Sequence, residues 1–176
     1  GRLAGQALRD IDRRGKSLLF RFEKGTLILH LGMSGSLRVV PAGEPPEKHE
    51  HLDLVFGGQA LRLRDPRRFG AALWVGDDAS AHPLIAPLGI EPLSDAFTGD
   101  WLHAAARGRA TAIKLFLMDS HAIVGVGNIY ASESLFRAGI DPRTPAGRLS
   151  RARCGRIAEA VKATLEAALA AGGSTL

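Results

Sequence analysis

The strongest constraint on this chain is a change of hydrophobic period close to residue 80. Ahead of it, short apolar runs at 18–22, 27–31, 36–40, 51–56, 60–64 and 72–75 are separated by turn chemistry at Lys24-Gly25, Gly57-Gly58 and Asp65-Pro66. Runs of this length at such intervals predict strands, and the first two have the spacing of a hairpin. Leu52, Leu54 and Phe56 alternate with His51, Asp53 and Val55, the period-two pattern of a sheet with one buried face. An antiparallel meander forming part of a sandwich is expected. Residues 41–50, with three prolines and Gly43, read as a loop.

Past residue 80 the spacing becomes helical. A Pro-rich connector is expected over 83–92, and Ser94 or Asp95 is expected to cap a helix carrying Phe97, Trp101 and Leu102. A second helix is expected over 111–118 with Ile113, Phe116 and Leu117 on its apolar side. From Ile129 the period resumes through Leu135 and Phe136 to a left-handed cap at Gly139, with Pro142 beyond. Ser150 opens a last helix containing Ile157, Val161, Leu165, Ala168 and Leu169, which Gly172-Gly173 ends. Strands followed by helices, without alternation, give an α+β chain in two domains. The expected boundaries are 1–80 for the partial sandwich, 81–93 for a linker and 94–176 for the helical domain.

Charge narrows the partners. Twenty-three Lys+Arg against eighteen Asp+Glu leave +5, mostly arginine, the side chain suited to bidentate phosphate contacts. That makes the chain either a binder of a polyanion or a basic but ordinary soluble domain, since net charge does not speak to fold. The single cysteine, Cys154, excludes an internal disulfide framework and a Cys-rich zinc site within these residues, and fits a reducing compartment. No apolar run approaches a membrane span, and the first residues lack the apolar core of a secretory signal. A cytoplasmic location and no membrane partner are therefore expected. The chain opens on Gly1 and stops at Gly172-Gly173-Ser174-Thr175-Leu176, straight after a helical pattern; a fragment of a longer protein is expected.

The candidate chemistry lies in a few short stretches. Arg62, Arg64, Arg67 and Arg68 fall within seven residues, broken by Asp65-Pro66 and followed by Phe69-Gly70. This is either a solvated strand face with a surface turn, or a basic loop whose aromatic tip wedges between bases. Met33, between Gly32 and Gly35, is either local packing or a second wedge, filling the hole that an extruded base leaves. Gly125-Val126-Gly127-Asn128 is either a tight helix–helix turn or an anion site at a helix N-terminus. It lacks the preceding strand and third glycine of a dinucleotide fingerprint. Lys16 precedes an apolar strand, and His49 and His51 find no third ligand with convincing spacing, so no metal site is expected. The whole reads as a nucleic-acid binder, enzymatic or not.

Four ordered stretches carry a resemblance. They are His30-Leu31-Gly32-Met33-Ser34-Gly35-Ser36-Leu37-Arg38-Val39, Lys48-His49-Glu50-His51-Leu52-Asp53-Leu54-Val55, Asp65-Pro66-Arg67-Arg68-Phe69-Gly70, and the run from Val124-Gly125-Val126-Gly127-Asn128-Ile129-Tyr130 to Gly139-Ile140. The chain resembles bacterial formamidopyrimidine-DNA glycosylases of the Fpg/Nei family from about Arg13 onward. The resemblance implies an antiparallel β-sandwich followed by a helical domain with a helix-two-turns-helix over 124–139. It implies base-excision repair of oxidised purines, 8-oxoguanine and formamidopyrimidines, by a bifunctional DNA glycosylase and abasic-site lyase acting on double-stranded DNA. By match to family positions, Lys16 is the proton donor in β-elimination. His49, Arg67, Arg109, Lys114 and Asn128 contact DNA, and Met33, Arg67 and Phe69 fill the gap left by the flipped base. A monomer is expected.

Departures accompany the matches. The family nucleophile is an N-terminal proline in a Pro-Glu-Leu-Pro-Glu start, and Gly1 aligns well inside the family's first domain. The family's four-cysteine zinc finger is likewise not among these residues, so no cofactor is expected in this chain and one zinc in a full-length member. The 176 residues alone are expected to be catalytically inactive, because a proton donor without a nucleophile does not start the reaction. The rival expectation is a non-enzymatic damaged-DNA or RNA binding module.

Overall fold

The computed structural model describes residues 2–76 and 78–173, which divide into two compact units, Gly1–His82 and Pro83–Leu176. The first holds seven strands: β1 (Leu8–Arg14), β2 (Ser17–Phe22), β3 (Gly25–His30), β4 (Ser36–Pro41), β5 (Glu50–Phe56), β6 (Gln59–Arg64) and β7 (Ala71–Val75). They form two antiparallel sheets, of order β1-β2-β3-β7 and β4-β6-β5.

Alternation explains how the sheets meet. Phe20 and Phe22 of β2 and Leu27 and Leu29 of β3 share one face, in the register Leu18↔Leu29 and Phe20↔Leu27. They pack with Leu54 of β5 and Leu63 of β6, flanked by half-buried Leu37, Leu52, Leu61 and Trp74. This is the expected sandwich core, and removing Phe20 down to Ala would cost about 3–5 kcal/mol. The reverse face is closed as well, with Leu19 and Ile28 buried and a 3-10 turn at Ala79–Ala81 against β3.

The strand β1 is absent from the sequence expectation. Five of its seven residues are charged and only Leu8 and Ile11 are apolar, so no hydrophobic period announces it. It forms through backbone pairing to β2 at the sheet edge, where Arg21 bonds Asp12 across the strands at 2.6 Å. Charge on an edge strand discourages pairing with another chain.

The second unit holds α1 (Gly99–Ala106), α2 (Ile113–Met118), α3 (Asn128–Ala138) and α4 (Arg151–Ala170). Ile113, Leu117, Ile123, Val126, Leu135, Ile157 and Val161 bury one core, with α4 against both α1 and α3. As expected, Ser150 caps α4 through its hydroxyl and Gly139 ends α3 in the left-handed region at φ 66°. The cap of α1 is a correction. Thr98 accepts from the Trp101 N–H, whereas Ser94 closes an earlier turn and Phe97 packs ahead of the helix against Trp101.

The expected linker over 81–93 also takes a different form. Residues 83–93 fall within the second unit and are stitched to it. Ile90 bridges Ile123 in parallel, with N–H···O bonds Gly89 to Ser120, Ile90 to Ala122 and Val124 to Ile90 of 2.8–3.0 Å. Prolines spaced along this stretch forbid helix but leave its other amides free to pair, which a composition reading does not detect. Further along, residues 109–114 run against 142–147 through Ile113 N to Thr144 O, Ala146 N to Thr111 O and Gly147 N to Arg109 O. Of the described helices, none is long and apolar enough to cross a membrane.

Candidate nucleic-acid interface

Strand register gathers the candidates of the first unit at one end of the sandwich. Ser17, His30 and Ala71 lie side by side in the four-stranded sheet. Lys16 therefore sits on the β1–β2 turn, residues 31–35 leave β3, and residues 65–70 enter β7, all at that end. In the other sheet Ser36 and Glu50 both pair with Arg64, which brings His49 and Asp65 to the same end. Lys16, Met33, His49, Arg67 and Phe69 thus converge, although 53 positions separate Lys16 from Phe69.

Two loops there are in direct contact. The Ser34 hydroxyl donates to Asp65 Oδ1 at 2.9 Å, the Gly70 N–H to Asp65 Oδ2 at 2.7 Å, and the Arg67 N–H to Ser34 Oγ at 3.3 Å. Asp65 is buried, and these bonds, with Gly70 foremost, then Ser34 and the Arg67 and Arg68 amides, hold its carboxyl below the usual carboxylate range. The tips of the loops remain outside. Met33 is 74% exposed and Phe69 56% exposed, with the Arg67 guanidinium 4.8 Å above the Phe69 ring. Two bulky apolar tips thus stand with their side chains outward on loops that are hydrogen-bonded to each other at one sheet end.

The two non-glycine residues with positive φ among those described are His49 (73°) and Arg68 (56°), both at this end. The His49 carbonyl accepts from the Asp65 N–H, and the Arg68 N–H donates to the Asp65 carbonyl. Partial burial lowers the His49 titration below its ordinary value, and the charges of Lys48, Arg64, His51 and Arg68 push it further. Lys16, Lys48, Arg64, Arg67 and Arg68 make no ion pair among the described residues. Unopposed cations held at one end favour an anionic partner.

Arg62 is a correction to the expected arginine cluster. It points into the protein, 1% exposed, and its guanidinium binds Asp53 at both oxygens, Glu50, and the carbonyls of Glu44 and Pro45. The Asp53 hydrogen bond chiefly raises the Arg62 pKa, assisted by the charges of Asp53 and Glu50. In return Arg62 lowers Asp53, while Glu50 is lowered first by the Glu47 amide and then by Arg38 and Arg62. Arg62 thus belongs to the scaffold under the 44–50 loop and not to the cationic surface. Asp65 and Ser34, which organise that surface, were missed; each sits in a polar, glycine- or arginine-rich stretch that reads as solvated.

In the second unit, Asn128 is exposed at the first position of α3, after Gly127 in an extended conformation with no side-chain cap. The first amides of the helix thus face outward with the positive end of its dipole. Arg109 is exposed on the segment held by Gly147, and Lys114 is half-buried in the first turn of α2, its amide bonded to Pro142 O at 3.2 Å. The three occupy separate elements and make no hydrogen bond with one another among the described residues. Cys154 lies in the helical core, where burial pushes its thiol up. No group of three His, Cys, Asp or Glu side chains among the described residues is arranged for a metal. These residues do not fit the zinc that the resemblance implies for longer members.

Comparison with known proteins gives this geometry its context. The formamidopyrimidine-DNA glycosylase N-terminal domain matches residues 1–72, and the H2TH domain of the same glycosylases matches residues 88–176. A formamidopyrimidine-DNA glycosylase of Bordetella petrii is 64% identical over all of this chain and 65% of its own length. One from Aromatoleum aromaticum is 59% identical over 99% of the chain and 64% of its own length. The crystal structure of MutM (Fpg) from Thermus thermophilus superposes with a TM-score of 0.89 at 40% identity, over 99% of this chain and 65% of that one. The Lactococcus lactis Fpg in complex with DNA containing an abasic site gives 0.89 at 30%, over 98% and 64%. The chain spans a little under two thirds of the length of these relatives. With a matching domain in each of its two units, it belongs to the formamidopyrimidine-DNA glycosylase family.

Proposed function

We propose that this chain is the DNA-reading portion of a bacterial base-excision enzyme, a DNA-formamidopyrimidine glycosylase and DNA-(apurinic or apyrimidinic site) lyase acting on oxidised purines in duplex DNA in the cytoplasm. The observation that carries the reading is the convergence of Lys16, Met33, His49, Arg67 and Phe69 on one end of the sandwich.

The roles follow from chemistry. Taking a damaged base out of the stack costs a few kcal/mol and leaves a hole, which the exposed Met33 and Phe69 tips and the Arg67 guanidinium fill. His49, Arg109 and Lys114 neutralise phosphates, and Asn128 with the uncapped amides of α3 holds another. Lys16, exposed on its turn, carries a proton in the elimination that opens the abasic strand. The family's attacking amine is that of an N-terminal proline, which the 176 residues do not contain; what they supply is recognition, gap filling and one proton carrier.

Titration of the 176-residue chain with a duplex containing a tetrahydrofuran abasic analogue, against the undamaged duplex, tests this. Preference for the abasic duplex is expected. Phe69→Ala should reduce it by about 1–3 kcal/mol, the value of one stacked aromatic. Equal affinity for both duplexes would defeat the proposal. Borohydride treatment with abasic DNA is expected to trap no adduct with this chain, and a covalent product would show that an amine within these residues acts as nucleophile.

A further inference from the structure

The wedge loops share one buried carboxylate that none of the roles above uses. Asp65 lies 2% exposed beneath them, with one oxygen on the Ser34 hydroxyl of the Met33 loop and the other on the Gly70 amide, next to Phe69. Ser34 passes the connection on by accepting from the Arg67 N–H. The backbone of Asp65 is also tied, donating to the His49 carbonyl at 2.9 Å and accepting at its own carbonyl from His51 Nε2 at 3.1 Å and the Arg68 amide at 3.3 Å. All five of these partners lie in or beside the segments that carry the candidate contacts.

We infer that Asp65 is a positioning residue of the wedge: its carboxylate locks the Met33 loop to the Arg67–Phe69 loop, so that the two tips enter the duplex as one piece. The inference rests on the proposed function. A free loop bearing an exposed apolar tip must be ordered when it inserts, and that ordering weakens binding. Two loops ordered beforehand through a common anchor avoid that loss, and they can act only together. The anchor has to be an ionised carboxylate because every group facing it donates. Asparagine has the same shape but would direct its NH2 either at the Gly70 N–H, donor against donor, or at Ser34 Oγ, whose hydroxyl proton would then lose the acceptor it has on Asp65.

Asp65→Asn in the full 176-residue chain separates shape from charge. Relative to the parent chain, affinity for a tetrahydrofuran-containing duplex is expected to fall about tenfold or more, while that for the undamaged duplex changes by no more than about twofold, because phosphate contacts are untouched. Met33→Ala and Phe69→Ala should be non-additive in the parent and additive in the Asp65→Asn background. A mere loss of folding would lower both affinities together, and circular dichroism reports it independently. If Asp65→Asn does not fold, Ser34→Ala decides, since it cuts one arm and leaves the Gly70 bond; the same selective loss is expected. A folded variant that keeps the parent's preference, or loses both duplexes equally, overturns the inference. A parent chain with no preference defeats the proposed function instead.

Discussion

Gly32 and Phe69 touch through their backbones. A Cβ placed on Gly32 would stand 2.6 Å from the Phe69 carbonyl carbon and 2.8 Å from its oxygen, and Gly32 has φ 63°. The Met33 loop therefore depends on a missing side chain to reach its neighbour. Gly32→Ala is expected to cost about 1–2 kcal/mol from the left-handed backbone alone, and the clash should also force the loops apart. Weaker binding of an abasic duplex with unchanged binding of intact DNA, measured by fluorescence anisotropy, is the expected result.

His49 makes DNA binding depend on pH. Burial and surrounding cations hold its pKa below 6.5 in the free chain, so at neutral pH it is uncharged. A phosphate close by favours the imidazolium, and binding then takes up a proton. Affinity should rise as pH falls from neutral toward the lowered His49 value, and His49→Gln should flatten that rise. Calorimetry in buffers of different ionisation enthalpy measures the proton directly. For folding, the same depressed pKa makes His49 contribute stability above 6.5 that is lost as pH falls through its lowered value.

Arg62 and Arg67 are expected to fail in opposite ways when replaced. Arg62→Met leaves Glu50, whose side chain is 1% exposed, with Arg38 as its remaining charge partner, and frees the 44–50 loop. A lowered melting temperature is expected, with the salt dependence of DNA binding unchanged. Arg67→Ala should leave melting unaltered and weaken binding of an abasic duplex more than binding of intact DNA, since its guanidinium stands over the Phe69 ring and fills the gap with it. Thermal scans and binding titrations with both duplexes, across salt concentrations, on both variants check the pair.

The helical unit carries an asymmetric glycine contact. A Cβ on Gly99 of α1 would lie 2.5 Å from the Gly155 Cα of α4, whereas one on Gly155 meets nothing within 4 Å. Gly99→Ala should destabilise the unit by about 1–3 kcal/mol through overpacking. Gly155→Ala, at an interior helical position, should stabilise it by up to about 1 kcal/mol. Urea unfolding of the two variants distinguishes them.

Legibility in the sequence followed the apolar residues. Strands such as Ser17–Phe22 and Gln59–Arg64 and the caps at Ser150 and Gly139 are written in local patterns, and the structure has them. Exposed Met33 and Phe69 stood out because large apolar side chains on glycine-bounded loops are unusual. The charged residues were harder. Arg62 and Asp65 sit two and one positions from solvated Arg64, and nothing local distinguishes them. Their burial is decided by Asp53, nine positions away from Arg62, and by Ser34, 31 positions away from Asp65. The strand β1 was hidden because its backbone pairs with β2 while five of its seven residues are charged, so no apolar period marks it.

The alignment of Ser17, His30 and Ala71 in a single row also limits how the chain can change over time. Adding or deleting one residue inside β2, β3 or β7 would shift one loop by about 3.3 Å relative to the others and turn its side chains to the opposite face. Insertions are therefore expected to be tolerated at the far end of the sandwich, where the Glu23-Lys24 and Gly57-Gly58 turns lie. Peptide tags inserted at those two turns should leave DNA binding intact, and they offer places to attach a label without disturbing the wedge.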